Sequence, residues 1–529
     1  MLPRSVSAPR PHKTKESSVK FKRPFIDYCL RLARDPIACF SVAGVAFVVM
    51  VAMALVTTTP SQELVVTNIH PSAMLSDTDR ALSEAIFNAD ARGDYDSADD
   101  HIEQLSNQLL LGHMLAERYL NVKYNATAEE LTVWLANYAD HPEAARIEAL
   151  AQRKGATSPV AISHVAPLKG DGYVEHLGRS TMPDSFYRGI ALWKDGNYNT
   201  ALNQFQKVAQ NGNLNNWQRA AAHYWAYRAA AKLNNNALAA SELTAAAHEP
   251  TTFYGQLAAT QLGDNSRLQA RAPLVPVAIR NLPAVMRATA LVEANQDQMA
   301  EVELRQLVMQ LPEGDRPALV TIASELGLAN LQVRLASLKG LSAGEKIFAS
   351  YPAPYWLTSA QTAVDPTILL SIARQESVFR NAVKSSGGAV GLMQMLPSTA
   401  RHVEMRLSAD EIALASNDDS LPLSKQLNDP AVSAQLGAQY VAMLAREKSV
   451  NRDLIRLIAA YNAGPGSVAS WQGLARNMRD PLLYIESIPY PETRNYVMQV
   501  LAHQWVYARL MGQPNNALRT LAAGQWPQA

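Results

Sequence analysis

From about Leu75 to Leu341 the chain is rich in Ala, Leu and Asn, with apolar residues at helical spacing and few β-branched runs. Such a stretch offers one apolar face after another to a helical partner and no alternating pattern for a sheet, so an all-helical region is predicted. At 529 residues the whole chain is too long for one small core and should divide into units that each bury their own apolar surface.

Two fragments recur inside the helical region: Gly93-Asp94-Tyr95-Asp96-Ser97-Ala98 and Gly196-Asn197-Tyr198-Asn199-Thr200-Ala201. Their offset is close to three of the roughly 34-residue periods of tetratricopeptide repeats, in which a Gly reverses the chain and a small Ala lets the next helix pack closely. An α-superhelical, tetratricopeptide-like solenoid over residues 75–341 is therefore expected, with an ordinary helical bundle as the alternative. Residues 156–180 break the pattern with prolines and glycines and read as a connection inside the solenoid. The aromatic pairs Tyr224-Trp225 and Phe253-Tyr254 read as core packing and are assigned no site.

Charge excludes one class of partner. With 48 Lys+Arg against 47 Asp+Glu there is no global field to hold a polyanion, and nucleic acid is not expected. The two cysteines, Cys29 and Cys39, leave no thiol for a zinc cluster or a disulfide framework further on, and no metal or cofactor is expected. Residues 37–56 form an uncharged apolar run long enough, as a helix, to cross a bilayer. A basic segment, residues 1–36, precedes it and should stay cytoplasmic. The expectation is an inner-membrane anchor with everything after Thr57 in the periplasm; the alternative is a signal sequence cleaved near Ala54.

The segment that carries chemistry runs from Asp365 to Ser377. Asp365 is a predicted N-cap and Pro366 a first helical residue. Ile368, Ile372 and Glu376 then fall at i, i+4 and i+8, so the carboxylate continues an apolar stripe near the helix end. Desolvation and the negative end of the helix both favour its protonated form, and a carboxylic acid that keeps its proton near neutral pH can protonate a glycosidic oxygen. Taken alone, Glu376 is better read as a common surface glutamate, and only its context points to an acid. A Gly-rich turn follows, Ser385-Ser386-Gly387-Gly388, then Gly391-Leu392-Met393-Gln394, with Pro397 predicted to open the next helix.

Four elements in order, Arg374-Gln375-Glu376-Ser377, Gly391-Leu392-Met393-Gln394, Ala460-Tyr461-Asn462-Ala463-Gly464 and the run from Tyr484 through Glu486, Pro489, Tyr490 and Pro491 to Arg494, resemble the soluble lytic murein transglycosylase family. Upstream, Tyr224 to Ala229 and Phe253-Tyr254-Gly255 are similar to the superhelix of its large members. The resemblance implies a mainly α protein, with the solenoid followed at residues 346–529 by a lysozyme-like catalytic domain with at most a small β element; the N-terminal membrane helix expected from residues 37–56 departs from the family's large members, which are often free in the periplasm after signal cleavage. It implies cleavage of the β-1,4 bond between N-acetylmuramic acid and N-acetylglucosamine in peptidoglycan strands, with closure of a 1,6-anhydro ring and Glu376 as acid and then base. Ser385, Met393, Gln394, Tyr461, Asn462, Glu486 and Tyr490 are the implied substrate-binding positions, and Glu492 and Arg494 an implied structural pair. Tyr461 also continues the Leu454–Ile458 stripe, so core and groove remain equal alternatives for it. The competing functions are a hydrolytic muramidase and a helical scaffold that recruits cell-wall assembly proteins.

Overall fold

The computed structural model describes residues 73–529, apart from 165–167, 169–181, 265–267, 359–363, 407–421, 472 and 474–478. The described chain is helical almost throughout, from Asp77–Arg92 to Asn516–Ala522, and its only extended pairings among the described residues are isolated bridges. The basic segment 1–36 and the apolar run 37–56 lie outside the described residues, as does most of the connection before Met182.

The recurring fragments occupy one kind of turn. Gly93 and Gly196 adopt φ of 82° and 75°, where a Cβ would be strained, and the next residue caps the following helix: Asp94 accepts from Ser97 N, Asn197 from Thr200 N. Ala98 and Ala201 are then fully buried against the preceding helix. Two further copies, hidden to the eye because Asn replaces Gly, occur at Asn234 (φ 57°) and Asn295 (φ 56°), again with a buried alanine five residues on, Ala239 and Ala300. Asparagine tolerates the left-handed region by bonding locally, which is how it substitutes here. The helices Asp184–Lys194, Tyr198–Ala209, Asn216–Lys232 and Asn236–Ala247 accordingly stack as antiparallel neighbours.

The cores do not follow the chain order. Residues 182–258 share one continuous core with the C-terminal part, Phe253 stacking on Trp505 with ring centroids 5.1 Å apart. Residues 75–114 instead pack with 279–349. That second union is fastened by charge. Arg287 straddles Glu303 (Nε to Oε1 2.5 Å, Nη2 to Oε2 3.2 Å) and reaches Asp140, while His113 Nε2 lies 2.9 Å from Glu303 Oε1. Burial pulls His113 toward neutrality, but its hydrogen bonds and charge contacts with Glu143 and Glu303 outweigh this and push it up to about 9.

No helix among the described residues is long and apolar enough to cross a membrane. The longest, Pro491–Leu510, has 20 residues but carries Glu492, Arg494 and Arg509, each costly in hydrocarbon.

Candidate active site

The helix Pro366–Ser377 forms as its sequence predicts: the Asp365 side chain accepts from Thr367 N at 2.9 Å and Pro366 opens the first turn. Its environment is more enclosed than a stripe requires. Every residue from Thr367 to Arg374 is buried, because the helix lies against Pro491–Leu510 on one side and against residues 350–351 on another. The Arg374 guanidinium, wholly buried, donates to the Ser350 carbonyl and sits 4.6 Å above the Tyr351 ring.

The helix ends without a glycine. Val378 (φ 52°) and Phe379 (φ 61°) are consecutive left-handed residues, a conformation costing about 1–2 kcal/mol per residue for an L side chain. The reversal buries both side chains and lets Glu376 emerge at the last turn only partly covered. There its carboxyl accepts a 2.6 Å hydrogen bond from Tyr496. Burial raises the Glu376 pKa, the Tyr496 bond opposes that, and the Glu492 charge adds to it; the result is about 7. Tyr461 and Tyr496 both feel the Glu376 charge and, chiefly through burial, hold their protons far above the usual phenol range.

Gly391-Leu392-Met393-Gln394 closes a tight loop through the bridges Lys384↔Val390 and Val390↔Met395, the small β element of this region. Gly391 (φ 76°) is irreplaceable by geometry, since a Cβ there would stand 1.9 Å from the Leu427 carbonyl oxygen. Met393 is fully buried against Gly437, and its carbonyl accepts from the Tyr461 hydroxyl at 2.8 Å. Tyr461 thus packs its helix stripe into the core and ties this loop to the helix Leu454–Ala463 through its hydroxyl. Gln394 spends its amide nitrogen on the Gly391 and Val383 carbonyls. Ser385 Oγ accepts from Ala389 N and shapes the preceding turn.

The remaining positions are placed differently. Asn462 accepts from Thr493 Oγ1 at 2.6 Å, joining the helices Leu454–Ala463 and Pro491–Leu510. Glu486 is buried at the seam with the superhelix, where Tyr254 donates to it at 2.6 Å and itself accepts from Trp225. Tyr490 is half exposed and stands edge-on to Trp471. Arg494 donates to the Ile488 carbonyl and lies over the Tyr187 ring, and no Glu492–Arg494 ion pair forms among the described residues. Tyr496, the direct partner of Glu376, was not singled out by sequence; its signal was its place four residues after Glu492, one turn along the same helix face.

An α-superhelical part is joined to a lysozyme-like helical unit, with Glu376, its pKa raised, at the end of a buried helix. The Transglycosylase SLT domain family matches residues 357–482, and the Soluble lytic transglycosylase helical domain family matches residues 487–516. Over these residues the chain is similar to the soluble lytic transglycosylases. It is 31% identical over 279 residues to the Soluble lytic murein transglycosylase of Salmonella typhimurium, a match covering 52% of this chain and 41% of that protein. It is likewise 31% identical over 264 residues to the Escherichia coli protein of that name, over 49% of this chain and 39% of the relative. The chain thus spans about two-fifths of the length of these curated relatives. Among solved structures it resembles the 70 kDa soluble lytic transglycosylase of Escherichia coli at a TM-score of 0.58 and 19% identity, covering 85% of this chain and 99% of that one. It also resembles a complex of the 70 kDa soluble lytic transglycosylase with bulgecin A (TM-score 0.52, 21% identity, 90% and 70% coverage), and both likenesses concern the fold.

These findings correct the expected inner-membrane placement. The Salmonella typhimurium and Escherichia coli relatives are named as soluble proteins, and no helix among the described residues is long and apolar enough to span a bilayer. The apolar content of residues 37–56 that suggested an anchor falls outside the described residues, and the membrane is withdrawn as a partner.

Proposed function

We propose that the chain is a peptidoglycan lytic transglycosylase that cuts the β-1,4 bond between N-acetylmuramic acid and N-acetylglucosamine and leaves a 1,6-anhydromuramic end. The observation that carries this reading is the partly enclosed Glu376 carboxyl, bonded to Tyr496 and pushed up to about 7. At neutral pH a large fraction of such groups is protonated, and each can give its proton to the leaving glycosidic oxygen. The resulting carboxylate takes the proton of the muramyl 6-hydroxyl as that oxygen bonds to C1, so the acid is regenerated and no water is consumed. The Tyr496 hydroxyl steadies the carboxylate form between the two transfers. Relatives named murein transglycosylases support the substrate class.

Sugar contacts fall to residues around this group. Tyr490, exposed beside Trp471, offers an aromatic face. Gln394 and Asn462 present amides and Ser385 a hydroxyl at the Gly-rich turn, while the buried Met393 supports that loop from beneath without reaching the sugar. Glu486 acts from the seam by holding the Pro481–Ser487 helix against Tyr254.

Digestion of purified peptidoglycan followed by mass analysis of the muropeptides tests the reaction. Anhydro products, one water lighter than lysozyme products, are expected from the wild type and none from Glu376→Gln. Reducing ends would show a hydrolytic muramidase instead, and undiminished cutting by Glu376→Gln would remove Glu376 as the acid.

A further inference from the structure

The left-handed end of the Glu376 helix is held from the superhelical part of the chain. Asn330, on the helix Ala329–Leu335, is 3% exposed, and its Nδ2 donates to the Val378 carbonyl at 2.7 Å. Its Oδ1 accepts from Arg334 Nε at 2.7 Å. Arg334 thereby dictates which way the amide faces, because the oxygen is taken by a cation and only the NH2 side is left for Val378. Val378 is the worst kind of residue for its position: β-branched, buried and at φ 52°, next to a second strained residue. A backbone in that state persists only where surrounding contacts over-determine it. Val378 lies two residues past Glu376, so any relaxation of its φ swings the turn that carries the carboxyl.

We propose that Asn330 is a positioning residue for Glu376: its hydrogen bond to the Val378 carbonyl keeps the helix end in the left-handed turn that delivers the carboxyl to Tyr496. The superhelical part thus takes a share in catalysis through one amide rather than only flanking the site. This rests on Glu376 being the acid. Releasing Val378 lets the carboxyl drift from the Tyr496 hydroxyl, whose bond favours the ionised form, and also strips a donor from the negative end of the helix. Both changes push the Glu376 pKa further up.

The test uses the full chain and follows muropeptide release with kcat, KM and the pH–rate profile, alongside thermal melting. Asn330→Asp keeps the size and the bond from Arg334 but sets an oxygen against the Val378 carbonyl. It should lower kcat at least tenfold with KM within twofold, and move the alkaline limb of the profile upward. Asn330→Ala should do the same more mildly, and adding Val378→Gly, which adopts the left-handed turn freely, should restore most of the lost kcat. Should Asn330→Asp fail to fold, the Asn330→Ala and Asn330→Ala/Val378→Gly pair decides alone. Wild-type kcat and pH profile in the Asn330 variants, with Glu376→Gln inactive, would overturn the positioning role. So would a loss that tracks unfolded protein and ignores glycine at 378. Activity in Glu376→Gln would instead overturn the acid reading beneath it.

Discussion

Glu376 holds its proton to a higher pH than an ordinary glutamate, and the burial that raises its pKa is also a cost to folding. Its pKa is about 7 in the folded chain against the ordinary 4.5. Between those values the unfolded chain is ionised while the folded one still holds its proton, so this group's contribution to stability falls as pH rises from about 4.5 to about 7. The whole effect is at most about 3 kcal/mol. Glu376→Gln, which keeps an acceptor for Tyr496 and has no charge to desolvate, should therefore melt higher than the wild type above pH 7 and nearly equal to it at pH 4. Calorimetry at the two pH values checks this. Tyr496→Phe removes the hydrogen bond that favours the carboxylate, so the alkaline limb of the pH–rate profile should move up, with kcat at pH 7 down by about 10²-fold if proton transfer is impaired. An unchanged limb would show that the 2.6 Å contact does not govern the acid.

Elements show how far local rules carry. Asp365 and Pro366 announce the start of the Glu376 helix, and Pro397 the start of the next, because caps and first-turn prolines act through their own backbone neighbours. The helix end carried no such signal. Val378 and Phe379 are residues that local preference would never place at positive φ, and only the contacts around them hold them there. The Gly391 loop is intermediate: its glycines mark a turn, but the reason one of them is indispensable, the Leu427 carbonyl at 1.9 Å from an added Cβ, belongs to a segment 36 residues away. Gly391→Ala should cost upward of about 3 kcal/mol, combining a strained φ with a backbone clash, and should abolish glycan cleavage. Denaturant melts of the variant at matched m-value measure it.

On the scale of the whole molecule, two unions across long sequence separations place the site. One is the core shared by residues 182–258 with the C-terminal unit, crossed by the Trp225–Tyr254–Glu486 chain of hydrogen bonds. Tyr254→Phe would leave the Glu486 carboxyl buried without its donor and should cost about 1–3 kcal/mol in thermal or denaturant unfolding. The other is the His113–Glu303–Arg287–Asp140 clasp. Because the folded pKa of His113 is about 9 against 6.5 unfolded, its stabilisation is full below pH 6.5 and disappears as pH rises to about 9. His113→Asn should flatten that part of the melting curve against pH, a window distinct from that of Glu376. Sequence by itself determined the helical class, the repeating turns at Gly93 and Gly196 and the start of the helix Pro366–Ser377. Each of these is written in residues a few positions apart, where propensity, capping and 3.6-residue periodicity act. Tertiary structure alone decided that Tyr496 meets Glu376, that Glu486 belongs to a seam, and that Asn330 reaches Val378. Those pairs lie between 48 and 232 residues apart, and their chemistry exists only once packing has removed the water between them.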